Sequence, residues 1–286
     1  MRTGKRKTAL VVEGGGMRGI YTAGILDAFL TANFDPFDLY IGVSAGACNL
    51  SSHIAGQFQR NYRLYTNFMT SRNFISFGKC LRGGHWFDLD WLWDTFSVDD
   101  PLDTKRAAAN LKAGGKEFLI AVTDAETGLP VYLKPDADSM LQELKASCSL
   151  PVLYRGFVEI GGKKLTDGGV TDSLPVIAAA NRGAERIVIL RTQRSDYRKK
   201  GGMDNLMASL FLRDYPALRK AVRERPVNYM NAVGFIHNPP SGLEIIEVAP
   251  PKGMHTGRTT QSLRALRADY QKGIDAGLDL AAGWQV

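Results

Sequence analysis

An apolar run from Phe37 to Val43 stops at a serine bracketed by glycines, Gly42-Val43-Ser44-Ala45-Gly46. A strand that ends in G-x-S-x-G must turn sharply into the next element, and the glycines are needed because side chains there would collide with the neighbouring strand and helix. Ser44 then opens a helix at the carboxyl edge of a sheet, where the positive helix end stabilises developing negative charge. A five-residue pattern also arises by chance, and a plain turn is its alternative reading. What surrounds it in the chain decides between the two.

Upstream, the apolar strand Thr8 to Glu13 runs into Gly14-Gly15-Gly16-Met17-Arg18-Gly19 and then into a helical pattern from Ile20 to Ala32. Gly14, Gly16 and Gly19 satisfy G-x-G-x-x-G, the dinucleotide fingerprint whose amides hold a pyrophosphate. That role further needs an acid near the end of the second strand. Here that strand ends in Gly42-Val43-Ser44, while Asp35 and Asp38 lie before it or at its start. The same amides have another use: those of Gly15 and Gly16, beside the elbow in a parallel sheet, would form an oxyanion hole. Arg18 would steady this loop or meet a substrate phosphate, with a solvated arginine at a helix start as the plain alternative.

Ala45 to Gln57, rich in small residues, reads as a helix packed behind the elbow, with His53 on it as a packing residue. Region 60–100 interleaves aromatics, among them Tyr65, Phe74, Phe77, Trp86, Trp93 and Phe96, with Arg60, Arg63, Arg72, Lys79 and Arg82. Such a mixture suits a cap that dips into a lipid interface over an acyl pocket, while most of these rings are expected to fill a helical subcore. A helix is expected over Leu102 to Ala113, with Asp99 or Asp100 and Pro101 as its start signal. Strands over Lys116 to Thr123 and Leu129 to Lys134 flank a hairpin turn, and Asp138 to Ala146 reads as a helix. Two more strands, Phe157 to Ile160 and Lys163 to Thr166, lead into Asp167-Gly168-Gly169. An aspartate before two glycines is commonly a turn. After a strand and before a helix over Pro175 to Arg182, it also puts a carboxylate where α/β active sites are assembled.

A buried strand, Arg186 to Arg191, is followed by a basic region 195–240: Arg191, Arg194, Arg198, Lys199 and Lys200 on a loop, then Arg213, Arg219, Lys220, Arg223 and Arg225 on helices around Pro216 and Pro226. With 36 Lys and Arg against 29 Asp and Glu the net charge is +7, which suits phospholipid headgroups and also simple solubility. A strand over Leu243 to Val248 and an amphipathic helix over Gln261 to Gly277 complete the pattern. Cys48, Cys80 and Cys148 lack any paired spacing, so free thiols in a reducing compartment are expected. No segment approaches the ~18 apolar residues of a membrane span. The expected location is cytoplasmic, with peripheral contact at an anionic membrane and no nucleic-acid partner.

With the glycine loop at 14–19, the elbow at 42–46 and Asp167-Gly168-Gly169 in this order, the chain resembles the patatin-like phospholipases. Weaker similarity covers Thr123 to Tyr132, the block Ala146-Ser147-Cys148-Ser149-Leu150-Pro151, and Tyr270 to Ala276. One departure is Pro151 before Val152, where the family often has glycine. The resemblance implies a single three-layer α/β/α domain over residues 1–286 with a mainly parallel sheet. It implies a lipid acyl-ester substrate, a Ser44–Asp167 dyad, a Gly14-Gly15-Gly16 oxyanion loop, support of loop or substrate by Arg18 and Ala45, and neither metal nor cofactor. Three alternatives stay open: a Ser-Asp-His triad through His237 or His255, a nucleotide-binding oxidoreductase using the 14–19 loop, and a non-enzymatic membrane or nucleic-acid binder.

Overall fold

The computed structural model describes residues 6–75, 87–151, 153–154, 156–199 and 212–284. Its strands are β1 (Thr8–Val12), β2 (Leu39–Val43), β3 (Glu117–Asp124), β4 (Pro130–Leu133), β5 (Val158–Ile160), β6 (Lys163–Asp167), β7 (Arg186–Leu190) and β8 (Glu244–Val248). They form one sheet in the order β5-β6-β3-β2-β1-β7-β8, with β4 also on β3. From β3 across to β8 the neighbours run parallel, whereas β4 and β6 meet β3 antiparallel. The helices are α1 (Gly19–Thr31), α2 (Ala45–Ile54), α3 (Arg60–Arg63), α4 (Leu89–Asp99), α5 (Thr104–Gly114), α6 (Met140–Cys148), α7 (Val176–Asn181), α8 (Pro216–His237) and α9 (Leu263–Ala282).

Strand side chains alternate between two faces. Leu10, Val12, Tyr40, Phe118, Ile120, Val122, Val188 and Leu190 share a core with α1, α2, α4 and α6. Ala9, Val11, Leu39, Ile41, Leu119, Ile187 and Ile189 pack against α7 and α8 on the other side. Both faces are covered, so the parallel strands read as continuous apolar runs and the chain folds as the expected three layers.

The registers bring two strand ends together. β3 pairs with β2 through Ala121 and with β4 over Ile120 to Thr123, so β2 and β4 lie on opposite edges. β6 pairs with Val122 to Asp124, overlapping β4, and therefore takes the edge that β2 leaves. Val43 sits opposite Ala121 and Asp167 opposite Val122. β2 and β6 thus meet head-on.

Some local expectations change. Asp103, not Asp99 or Asp100, caps α5, its carboxylate accepting from the Arg106 amide at 2.9 Å. Pro226 lies inside one continuous 22-residue α8, because Tyr229, Ala232, Val233 and Ile236 beyond it are held against the sheet. Arg191 belongs to the core and not to a basic loop: it is fully buried, paired with Glu247 and donating to the Tyr229 hydroxyl at 2.8 Å. Tyr65, Phe74, Trp93 and Phe96 of region 60–100 are buried, as expected of a helical subcore. Phe77, Trp86, Lys79, Arg82, Cys80, Lys200 and Val152 fall outside the described residues.

α1 is buried almost all round, because α9 covers the side that faces away from the sheet. Close approach requires glycine on both helices: a Cβ on Gly24 would stand 2.3 Å from the Tyr270 carbonyl oxygen, and one on Gly273 would stand 2.1 Å from that of Tyr21. Gly273→Ala is expected to destabilise the protein by about 1–3 kcal/mol through this overlap, read as a lowered thermal unfolding midpoint.

Candidate active site

Ser44 is the residue between β2 and α2, and its backbone adopts φ 53° and ψ −129°. This left-handed geometry costs an L-residue of order 1–3 kcal/mol and persists only where surroundings enforce it. Here they do. A Cβ on Gly42 would lie 2.4 Å from Ala47 Cα, and one on Gly46 would lie 2.4 Å from the Val12 carbonyl oxygen, so strand and helix close on each other with glycine alone between them. The Ser44 amide donates to Ser147 Oγ at 2.8 Å, and that hydroxyl donates to the Ala121 carbonyl at 2.7 Å. The Ser44 carbonyl accepts from the Ala47 and Cys48 amides in the first turn of α2. Its side chain takes no part in capping α2.

That hydroxyl lies close enough to the Asp167 carboxylate to lower its pKa, and the Cys148 thiol is also near it. Asp167 arrives at the end of β6, where Gly168 lets the chain cross β3 at a point where a Cβ would stand 2.2 Å from the Ala121 carbonyl oxygen. Its Oδ1 accepts from the Gly169 amide at 2.7 Å. Burial pushes the Asp167 carboxyl above its ordinary value, against the lowering effects of the Arg225 charge, the Gly169 amide, the Ser44 hydroxyl and the Arg258 charge. Cys48, one turn along α2, places its sulfur 3.5 Å from that of Cys148. Both are free thiols, and the neighbouring Cys48 thiol together with burial pushes Cys148 up.

The glycine loop leaves β1 beside the elbow. A Cβ on Gly14 would meet Ser44 Cβ at 2.9 Å, and one on Gly15 would meet Thr192 Oγ1 at 2.6 Å. Gly16, at φ +57°, has the Arg258 carbonyl oxygen 2.8 Å from its Cβ position. Among the described residues the amides of Gly14, Gly15, Gly16 and Ala45 donate to no protein group. Thr192 Oγ1 holds the loop from behind, donating to the Gly14 carbonyl at 2.8 Å. Glu13 in turn holds Thr192, accepting from its amide at 2.6 Å and from the Gln193 amide at 3.2 Å. Arg18 is half-buried with Nε unpartnered among the described residues. Burial lowers its affinity for a proton, and the Arg258 charge nearby adds to this against Glu13.

These groups line one cavity that continues into an apolar wall of Leu64, Tyr65, Phe74, Leu92, Trp93 and Phe96. No histidine lines it among the described residues. His237 faces Glu247 at 3.4 Å from the last turn of α8, His255 is exposed with its amide on Asp269, and His53 is buried against the Leu26 carbonyl. The structure brings Ser44, Asp167 and the 14–19 loop, all singled out in the sequence, to one cavity; the sequence reading placed Arg225 only on the basic face and left Ser147, Thr192 and Arg258 without a role. Only Ser147 carried a signal, through its place in the Ala146 to Pro151 block.

A serine at a strand-to-helix turn on the carboxyl edge of a mainly parallel sheet, over an apolar cavity, is the arrangement of an acyl hydrolase. The sequence model of the family described as Patatin-like phospholipase matches residues 10–180, and the chain belongs to that family. Membership makes it a lipid acyl hydrolase. A second model, described only as a domain of unknown function (DUF6363), matches residues 215–284. The chain is 37% identical over 268 residues to "Uncharacterized protein YjjU" of Escherichia coli (strain K12), a match covering 93% of this chain and 75% of that protein. It also shares its fold with VipD from Legionella pneumophila, at a TM-score of 0.53 and 14% identity over 97% of this chain and 67% of that one.

Ser147→Ala leaves the Ser44 amide and the Ala121 carbonyl buried without their shared partner. A loss of about 1–3 kcal/mol is expected in urea denaturation, larger than for an alanine at an exposed serine such as Ser241.

Proposed function

We propose that the protein hydrolyses acyl esters of phospholipids or lysophospholipids with Ser44 as nucleophile and Asp167 as general base. The observation that carries this reading is that Ser44 and Asp167 line one cavity, near enough for the hydroxyl to lower that carboxyl's pKa, beside glycine-loop amides that among the described residues donate to no protein group. Ser44 Oγ attacks the ester carbonyl carbon while its proton passes to Asp167. The carbonyl oxygen becomes an oxyanion, held by amides of the Gly14-Gly15-Gly16 loop with the N-terminus of α2 and its Ala45 amide alongside. Collapse breaks the ester bond, and the departing alcohol takes the proton from Asp167. Water then attacks the acyl-enzyme by the reverse proton path and releases the fatty acid, with Ser44 and Asp167 restored. The acyl chain occupies the apolar wall around Leu64, Trp93 and Phe96.

A carboxylate is a weak base for a serine hydroxyl, and burial raises its proton affinity in the useful direction. The unstrained alternative, a histidine relay, has no candidate in this cavity among the described residues.

We also read residues 1–286 as a single working unit. Support comes from β8, which pairs with β7 in the common sheet, and from α9, which packs on α1. Peripheral contact with anionic lipid rests on the net charge of +7 and on exposed Lys220 and Arg223 of α8 beside exposed Val227. No helix of the described residues is long and apolar enough to cross a membrane.

On a soluble nitrophenyl acyl ester, Ser44→Ala is expected to lower kcat by about 10⁴-fold or more and Asp167→Asn by about 10³-fold, with circular dichroism unchanged. Retention of activity by Ser44→Ala would remove the assignment. Because Asp167 works deprotonated and burial raises its pKa, kcat/KM is expected to rise with pH through a midpoint above the ordinary carboxylate range. Arg225 favours the charged carboxylate, so Arg225→Gln moves that midpoint further up, a shift that a pH–rate profile measures directly.

A further inference from the structure

The cavity that holds Ser44 has a second wall unlike the apolar one. It carries Arg18, Lys199, Arg225 and Arg258. The arginines come from the glycine loop, from α8 and from the segment before α9. Arg225 reaches the turn after β6, its guanidinium 3.4 Å from the Cβ position of Gly169, and its charge acts on Asp167. Arg258 lies on the other side of the loop: its carbonyl accepts from the Met17 amide at 3.1 Å, and its Cγ is 3.1 Å from the Cβ position of Gly16. The Arg258 charge acts on both Asp167 and Arg18.

Among the described residues the acids that line this cavity are Glu13 and Asp167. Glu13 is engaged by the Thr192 and Gln193 amides and by the Tyr229 hydroxyl at 3.0 Å. Asp167 accepts from the Gly169 amide and lies beside Ser44. Arg18, Arg225 and Arg258 therefore line the cavity that holds Ser44, and among the described residues the buried Nε of Arg18 has no hydrogen-bond partner, a donor that an anion entering the cavity would satisfy. Their planar forks match phosphate oxygens bidentately. In a glycerophospholipid only a short glycerol bridge separates the ester from the phosphate. An acyl chain on the apolar wall and its carbonyl at Ser44 leave the phosphate beside these arginines.

We infer that Arg18, Arg225 and Arg258 form an anion subsite that takes the phosphate of the lipid headgroup, so that the favoured substrate is an acyl ester bearing a phosphomonoester over a neutral one. The inference rests on the reading of Ser44 as nucleophile. It also gives the segment 215–284 a task, since that segment supplies Arg225 and Arg258: it reads the headgroup while the segment around Ser44 carries the chemistry.

The test compares kcat/KM for lysophosphatidic acid, lysophosphatidylcholine and monoacylglycerol of one acyl chain, each as monomers, using the full chain. Wild type is expected to favour lysophosphatidic acid over monoacylglycerol by at least about ten-fold, with the choline ester between them. In Arg225→Gln/Arg258→Gln that ratio falls to within about three-fold, and Arg225→Lys/Arg258→Lys restores part of it. Inorganic phosphate is expected to compete with monoacylglycerol in wild type and to lose this effect in the glutamine variant. Equal hydrolysis of the three lipids by wild type overturns the inference, as does a ratio unchanged in the glutamine variant while both rates fall. Competition by inorganic phosphate without a lipid preference marks a free-phosphate site and overturns the substrate assignment. Hydrolysis of none of the lipids, or full activity in Ser44→Ala, overturns the hydrolase reading itself, an outcome distinct from activity without headgroup preference.

Discussion

Between Ala121 and Val122, one edge of β3 changes partner from β2 to β6, and two chains running toward each other must both leave the sheet at that point. Each leaves a polar backbone group behind. The Ser44 amide is taken up by Ser147, and the Asp167 amide by the Ser149 carbonyl at 3.3 Å. Such partners are needed because a buried amide without one costs free energy comparable to a lost hydrogen bond. Crowding at the junction then dictates the glycines at 42, 46 and 168, where any Cβ would enter a neighbouring backbone. The positions of the Ser44 hydroxyl and the Asp167 carboxylate follow from this register, so the sheet sets the spacing of the pair.

The parts of this arrangement that could be read from residue order are those with local causes. Apolar runs give the parallel strands because both faces are buried, and glycine marks each sharp exit from them. Both features are written in consecutive residues, which is why Ser44, Asp167 and the 14–19 loop stand out. Ser147 stands out only through the Ala146 to Pro151 block: it reaches Ser44 across 103 residues, and nothing in that block reports the contact. Arg258 is equally silent, lying in an irregular segment whose contact with Gly16 exists only once α9 has docked on α1. Local rules also mislead where packing outweighs them. Pro226 reads as a helix end, yet α8 runs through it, and Arg191 reads as part of a basic loop, yet it is sealed beneath Tyr229 with Glu247.

The C-terminal segment matters to the rest of the molecule in two ways. β8 pairs along the whole of β7, and α9 gives α1 its second buried side. A helix buried all round lacks the polar stripe of a surface helix, and α1 alone would be a poor one. Tyr270 of α9 also satisfies Asp27 of α1 at 2.8 Å; burial raises that carboxyl to about 6.

The sulfur pair beside the elbow bears on how inhibition would be interpreted. Cys48 and Cys148 stand 3.5 Å apart, with the second within reach of the Ser44 hydroxyl. The pushed-up Cys148 thiol stays protonated, and a thiol in that state reacts slowly with alkylating reagents. Any adduct that does form on either sulfur fills space that an ester would need. Sensitivity to thiol reagents would therefore report steric blockade beside Ser44, and a classification by inhibitor type alone would place this protein among the cysteine enzymes.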